Sequence, residues 1–201
     1  MYSNIAIPRQ AYHTEEHQML KTAIDEFLKK EALPHYEEWE KQKMVPKSFW
    51  RKMGEQGFLC MDMPEQYGGG GLDFSFSALV LERCRFHGID FGIAVHSDIV
   101  APYLLKYGDE AQKQKYLPKM ASGEWVGAIG MSEPSAGSDL KSLKTTAMDM
   151  GDHYLVNGSK TFITNGYVSE FVCCAVRTNK GTPEEGISSV SYTHLTLPTK
   201  A

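Results

Sequence analysis

Residues 127–139 and 157–166 combine small residues, hydroxyl groups and an aromatic ring at spacings that could hold a phosphorylated ligand. In the first stretch an apolar run ends at Pro134, which cannot donate to a strand ladder. The loop that follows, residues 135–139, has small side chains and two serine hydroxyl groups. Backbone N–H groups in such a loop can approach a ligand closely, so the loop suits a pyrophosphate.

The second stretch contains Phe162 and Thr164 two positions apart. We predict a strand over Ser159–Thr164, which would present this ring and this hydroxyl on one face. A redox ring needs a stacking surface and hydrogen-bond donors at its reactive atoms, and Ser132 completes that set of residue types. Taken alone, Phe162 is more typical of a strand core, so the prediction depends on the pairing of the two stretches.

Both stretches resemble signatures of the acyl-CoA dehydrogenase family, and more closely of its long-chain-like members. Residues 131–139 resemble the first family signature, and residues 160–166 resemble the strand that lies against the flavin. Further stretches similar to the family, in family order, are residues 64–72, 95–100 and 107–118. From about Ser189 onward we see no resemblance, and the apolar continuation of a strand expected after Ser188 is absent.

The resemblance implies an FAD cofactor. The residues that it places at the isoalloxazine ring are Ile129, Met131, Ser132, Phe162, Ile163 and Thr164. Thr164 would lie near N5 of that ring. Gly137 and Ser138 would meet the FAD pyrophosphate, and Ser138 would also bind the acyl-CoA substrate. The family often has threonine at the position of Ser132 and tryptophan at that of Phe162, but the hydroxyl and the stacking ring are kept.

Two further side chains have alternative interpretations. Glu133 could remove the α proton of a thioester, but beside Pro134 at a strand end it is better explained as a partner of backbone or basic groups. The family's catalytic glutamate lies in a later helical domain, so we expect no catalytic residue here. His96 could bind substrate in the acyl pocket or could be a hydrogen-bonded core histidine. A catalytic pair with Ser97 is disfavoured because no acid partner is evident.

Composition narrows the class of protein. The 201 residues are 42% hydrophobic and 11% aromatic, enough to build a globular core, and the formal net charge of −4 gives no reason to expect a nucleic-acid partner. We find no metal-ligand spacing and no apolar run long enough to span a membrane. The four cysteines form no CxxC pair, which favours reduced core residues. We therefore expect a reducing compartment, and the family resemblance implies the bacterial cytoplasm or the mitochondrial matrix.

Hydrophobic periodicity divides the chain near Gly123. Helical spacing predicts helices before that point, among them helices capped by Thr14, Asp73 and Asp109, with Pro34 ending the first. After it, the period indicates strands, listed here by number: 125–131, 145–150, 154–156, 159–164 and 171–177. Turns are predicted at Gly151-Asp152, Asn157-Gly158 and Asn165-Gly166. The prediction is an α+β fold, with a helical domain followed by an antiparallel β domain.

We expect three parts in this chain: an N-terminal helical domain over residues 1–123, an incomplete flavin-binding β domain over 124–188, and a non-native tail over 189–201. The C-terminal helical domain of the family would be missing. The resemblance implies that the complete enzyme oxidises acyl-CoA to trans-2-enoyl-CoA, whereas the chain by itself would be inactive.

The resemblance also implies partners. Electrons would pass to an electron-transfer flavoprotein, and the complete protein would be a homo-oligomer, usually a tetramer. The motifs leave open an acyl-CoA oxidase or a flavin monooxygenase, because these share the fold. A non-catalytic binding module on the same scaffold is a further alternative, although such a module would not need the hydroxyl groups of Ser132 and Thr164. Acyl-chain length is not specified by any of these residues.

Overall fold

A helical region precedes a β-sheet in the computed structural model of the protein, which describes residues 14–178 and 186–192. The α-helices in these residues are α1 (Glu15–Glu31), α2 (Leu33–Gln42), α3 (Lys47–Glu55), α4 (Phe74–Phe86), α5 (Ala101–Tyr107) and α6 (Glu110–Ala121). A π-helical segment, Val95–Val100, leads directly into α5, and short 3₁₀ turns lie at Glu65–Tyr67 and Leu140–Ser142. The predicted order of a helical domain and then a sheet domain is confirmed.

Local capping rules account for two helix starts. The Asp73 side chain accepts a hydrogen bond of 2.7 Å from the N–H of Ser75 at the start of α4. Asp109 accepts 2.7 Å from the N–H of Gln112, whose side chain accepts 3.0 Å in return from the N–H of Asp109. Both contacts satisfy N–H groups that have no partner within the helix, as the predicted caps require.

Helix α2 was not predicted, because Pro34 was expected to end the helical region. Instead Pro34 lies in the first turn of α2, where its missing N–H leaves no helical bond unmade. The helix buries Trp39, whose ring centroid is 4.9 Å from that of Phe49 on α3. The proline is therefore compatible with a second helix that begins at Leu33, and burial of Trp39 stabilises that helix.

The sheet contains β1 (Gly127–Gly130), β2 (Thr146–Asp149), β3 (Tyr154–Asn157), β4 (Phe171–Thr178) and β5 (Gly186–Tyr192). Pairs β2–β3 and β4–β5 are antiparallel, but β4 pairs in parallel with both β1 and β2. The prediction of a purely antiparallel domain is therefore wrong, and the sheet is mixed. Long connections separate β4 from its parallel partners, as parallel pairing requires, and the continuous apolar run of β4, buried on both faces, is typical of a strand with parallel neighbours.

The predicted strand over Ser159–Thr164 is also wrong. This stretch has no ladder partner among the described residues, and Phe162 has a φ of 56°, which lies outside the strand region. Asn157-Gly158 accordingly forms no two-residue hairpin. The β2–β3 turn is the predicted one, with Gly151 at a φ of 95° and the N–H of Met150 donating to the carbonyl of His153 at 2.9 Å.

The first residues of the predicted tail belong to the sheet. Strand β5 pairs with β4 as far as Tyr192, which faces Val172 in the register. The expectation that no strand continues after Ser188 is therefore wrong over residues 189–192. Residues 193–201 lie outside the described residues.

Strand β4 separates two apolar clusters. Phe171 and Cys173 pack with the helical core, and the Phe171 ring centroid is 4.8 Å from that of Tyr116 on α6. Val172 and Cys174 point the other way into a smaller cluster within the sheet. Alternation along one strand therefore joins the helical region to the sheet. Across the described part of the chain, no helix is both long and apolar enough to cross a bilayer.

Candidate functional site

The loop after β1 forms a tight turn with an exposed tip. Glu133 and Ala136 exchange backbone hydrogen bonds of 2.8 and 3.2 Å, and both residues are buried. Gly137 and Ser138 follow on the exposed side, and a Cβ added to Gly137 would meet nothing within 4 Å. The loop therefore offers backbone N–H groups and a hydroxyl to a ligand without steric obstruction, as the sequence predicts for a pyrophosphate.

Glu133 holds this loop from the inside. Its carboxylate accepts hydrogen bonds from the N–H of Lys144 (2.7 Å), the N–H of Thr145 (3.0 Å) and Nζ of Lys160 (2.9 Å). Burial would raise the pKa of the carboxyl, but donors from Thr145, Lys144 and Lys160 outweigh it and lower the pKa to about 2. The interpretation of Glu133 as a partner of backbone and basic groups is confirmed.

Residues 161–165 alternate between half-buried and exposed although they form no strand. Phe162 is 96% exposed and Thr164 is exposed, whereas Thr161, Ile163 and Asn165 are half-buried. Both the ring and the hydroxyl are therefore accessible to solvent, although not as one face of a strand, because Phe162 has a left-handed backbone. The N–H of Thr161 donates 2.9 Å to the carbonyl of Ser132, which brings this segment beside the end of β1.

Ile129, Met131 and Ser132 are placed by β1. Ile129 is half-buried opposite Cys173 of β4, and Met131 and Ser132 follow the last residue of the strand. The Met131 carbonyl accepts 3.1 Å from Nζ of Lys160. These three residues and residues 161–164 thus lie together at the carboxyl end of β1.

Asn165 is a site residue that sequence reasoning missed. It has a φ of 66°, and its Nδ2 donates to the carbonyls of Gly92 (3.0 Å) and Gly127 (3.3 Å). A Cβ on Gly92 would collide with Asn165 Oδ1 and with the Thr164 methyl group. The Asn-Gly pair indicated a turn here, but no sequence signal connects it to a glycine more than seventy residues earlier.

His96 lies apart from this region, in the interior. It is fully buried, its Nδ1 accepts 3.0 Å from the N–H of Gly127, and its Nε2 donates 3.1 Å to the carbonyl of Met120. Burial lowers the pKa of His96 to about 4, against the opposing effect of the Met120 hydrogen bond. A neutral ring with both nitrogens bound to backbone favours the core-histidine alternative, because no ring atom is left for a substrate.

A cavity of about 510 Å³ lies behind the exposed segment. Ile163, Thr164 and Asn165 line one side, and Trp39 and Met44, from α2 and the loop after it, line the other. Within the described residues, no cluster of three histidine, cysteine or acidic side chains is arranged to hold a metal ion. Charged side chains also line this cavity, namely those of Glu40, Lys43 and Asp90.

Comparison with known domains decides the family. The acyl-CoA dehydrogenase N-terminal domain matches residues 14–124, and the acyl-CoA dehydrogenase middle domain matches residues 128–198. The chain belongs to the acyl-CoA dehydrogenase family. The middle-domain match of this acyl-CoA dehydrogenase chain extends beyond Ser188, where we expected the resemblance to end.

Individual relatives agree with this assignment. The mitochondrial long-chain specific acyl-CoA dehydrogenase of Sus scrofa is 40% identical over 178 residues, which are 87% of this chain and 41% of that protein. An acyl-CoA dehydrogenase crystal structure from Geobacillus kaustophilus is 47% identical with a TM-score of 0.87, over 91% of this chain and 49% of that one. The acyl-CoA dehydrogenase of Bacillus anthracis complexed with FAD is 31% identical with a TM-score of 0.78, over 90% and 31%. The chain spans about half or less of these relatives' length.

Proposed function

We propose that the chain is the N-terminal and middle part of an FAD-dependent acyl-CoA dehydrogenase that oxidises acyl-CoA to trans-2-enoyl-CoA. The observation that carries the proposal is the shared exposure of Phe162 and Thr164 beside the carboxyl end of β1. Because the Phe162 ring is 96% exposed, its face is open to a flat partner, and the matches to the acyl-CoA dehydrogenase N-terminal and middle domains support a flavin as that partner.

The residues present fit the isoalloxazine ring and pyrophosphate of FAD. Phe162 offers a stacking face, and the Thr164 hydroxyl lies two residues away as a donor for N5. The open turn at Gly137 and Ser138 offers amide and hydroxyl donors to the pyrophosphate. When bound, FAD supplies the acceptor for the hydride that leaves the substrate β carbon. Ile129, Met131, Ser132 and Ile163 would shape the ring's edge.

The base that removes the α proton would come from outside these residues. Glu133 cannot serve, because its lone pairs are occupied by three donors and its pKa of about 2 makes it a poor proton acceptor. We therefore propose that the 201-residue chain binds but does not turn over substrate. General-base catalysis is typically worth about 10²–10⁴ in rate, so the loss should be at least that large.

The partners proposed for the complete protein are an acyl-CoA substrate and an electron-transfer flavoprotein, with Ser138 contacting both FAD and the acyl-CoA. The proposed assembly is a homotetramer in the bacterial cytoplasm or the mitochondrial matrix. His96 would support the pocket only indirectly, by holding Gly127 of β1 to the end of α6.

The test is a titration of the purified chain with FAD, monitored by visible circular dichroism. A protein site changes the circular dichroism spectrum of a bound flavin relative to that of free FAD. We expect a saturable flavin signal that Phe162→Ala weakens. The matched control is Tyr167→Ala, which removes another ring that is 80% exposed. No flavin signal at any FAD concentration would contradict the proposal and would favour a binding module without flavin chemistry.

A further inference from the structure

We propose that Lys160 and Asn165 are positioning residues that anchor the two ends of residues 161–164 and so fix Phe162 and Thr164 for the cofactor. The cofactor part of this inference rests on the function proposed above. Residues 161–164 have no strand partner in the described chain, and Phe162 has a left-handed backbone. Such a conformation persists only where the surrounding structure over-determines it.

The first anchor joins the segment to the loop after β1. Lys160 Nζ donates to the carbonyl of Met131 (3.1 Å) and to Oε1 of Glu133 (2.9 Å). The side chains of Lys160 and Glu133 are only 7% and 3% exposed, so the ion pair is shielded from water and salt. Because Glu133 also holds Lys144 and Thr145, the anchor ties the segment to the start of β2 as well.

The second anchor joins the segment to the helical domain. The Asn165 amide donates to Gly92, which lies three residues before the π-helical segment, and to Gly127 at the start of β1. Turn bonds of 3.0 Å, from Gly166 to Ile163 and from Val168 to Asn165, close the chain behind it. The exposed ring of Phe162 therefore lies between a buried ion pair and a side-chain amide. No strand ladder among the described residues could replace either contact.

Because the side chains of Lys160 and Asn165 hold the two ends of the segment, residues 161–164 need not form a regular strand. A strand would spend its backbone groups on neighbours and would fix both faces. Here, within the described residues, only Thr161 and Ile163 of the segment make backbone hydrogen bonds, to Ser132 and Gly166, and the side chains of Lys160 and Asn165 add the remaining order. Removing an anchor should loosen residues 161–164 without opening β4, because β4 is held by its own ladders with three strands.

The experiment compares Lys160→Met and Asn165→Gly with the unaltered chain by amide hydrogen exchange and mass spectrometry, without FAD. Methionine keeps the length of the lysine, and glycine keeps the positive φ while removing the amide. We expect exchange of the hydrogen-bonded N–H groups of Thr161 and Gly166, which flank Phe162 and Thr164, to become about tenfold faster in each variant, with β4 unchanged. Lys144→Met and Asn157→Gly are the controls, because both side chains are exposed and should leave this exchange unaltered.

The FAD titration is repeated on each variant, and we expect about a tenfold weaker Kd and a smaller flavin circular dichroism signal. If Lys160→Met fails to fold, Asn165→Gly carries the test, since Asn165 is only half-buried. Unchanged exchange at Thr161 and Gly166 in the folded variants would overturn the anchoring. Faster exchange in a chain that binds no FAD would keep the anchors and refute the proposed function, so the two failures are distinguishable.

Discussion

Lys160 Nζ and Glu133 Oε1 lie 2.9 Å apart in an almost fully buried ion pair that connects the two sequence stretches proposed to bind FAD. Breaking such a pair from one side leaves an uncompensated buried charge, which typically costs about 3–5 kcal/mol. We predict a loss of this size in the free energy of unfolding for Glu133→Gln, measured by urea denaturation. Glu124→Gln, which disrupts only an exposed pair with Lys119, should cost less than about 1 kcal/mol.

Acid should weaken the fold in two windows. The pKa of His96 is lowered from 6.5 to about 4, so the unfolded chain takes up that proton first and stability falls as the pH drops through this range. The pKa of Glu133 is lowered from 4.5 to about 2, so its contribution is lost over that lower range. Asp98, whose raised pKa acts in the opposite direction over this range, is first replaced by asparagine. In that Asp98→Asn background, unfolding free energies measured from pH 7.5 to 3 should decline below pH 6.5, and a flat profile down to pH 4.5 would contradict the burial of a neutral His96.

Asp98 should have the opposite effect. Burial raises its pKa from 3.8 to about 6, against a hydrogen bond from Ser77 and with a further increase from Asp62, and its Oδ1 has no hydrogen-bond partner in the described structure. The charged form is therefore costly above pH 6, and its penalty is absent below pH 3.8. Asp98→Asn should raise the thermal midpoint at pH 7.5 by about 2–4 °C and give no gain at pH 3.8. Equal gains at both pH values would show that charge is not the cause.

Phe162 should be nearly irrelevant to stability and important for FAD. Phe162→Ala should change the free energy of unfolding by less than about 0.5 kcal/mol, because the ring is 96% exposed. The same change should weaken FAD binding about tenfold, in line with the worth of one aromatic stacking contact. Chemical denaturation and fluorescence titration of FAD together check this separation, and a large stability loss would mean that the ring packs on protein instead.

Gly92 and Gly88 offer a matched test of the Asn165 contact. Both have a φ of 73°, but a Cβ at Gly88 meets nothing within 4 Å, whereas one at Gly92 collides with the side chains of Asn165 and Thr164. Alanine at either position should cost about 1–2 kcal/mol of backbone strain. Gly92→Ala should cost about 1–3 kcal/mol more from overpacking. Equal losses of stability for the two variants, measured by thermal unfolding, would show that a Cβ at position 92 does not collide with Asn165 and Thr164.

The features that could be predicted from the sequence are those whose partners are close along the chain. The caps at Asp73 and Asp109 join groups two or three residues apart, so residue type and spacing suffice. The turn at Gly151-Asp152 likewise joins neighbouring residues, with Gly151 at a φ of 95°. The helical region and the subsequent sheet were likewise evident from a change of period near Gly123.

The features that failed depend on distant partners. Asn157-Gly158 and Asn165-Gly166 carry the same local signal, and Asn165-Gly166 does form a turn, but Asn157-Gly158 forms no hairpin because Gly158 packs against Thr145. The parallel partners of β4 and the ion pair of Glu133 similarly join residues far apart in sequence. No periodicity encodes such contacts, which is why the predicted flavin strand became an anchored segment.

The positions of the cysteines allow local unfolding of the two apolar clusters to be measured on the unaltered protein. Cys60, Cys84 and Cys173 are buried in the helical core, whereas Cys174, adjacent to Cys173 on β4, belongs to the second cluster. If the sheet cluster unfolds locally first, a thiol reagent added in excess would modify one cysteine. If the helical core unfolds locally first, the reagent would modify up to three. The mass spectrum of a labelling time course would resolve the order in which the two halves become accessible, with no engineered probe.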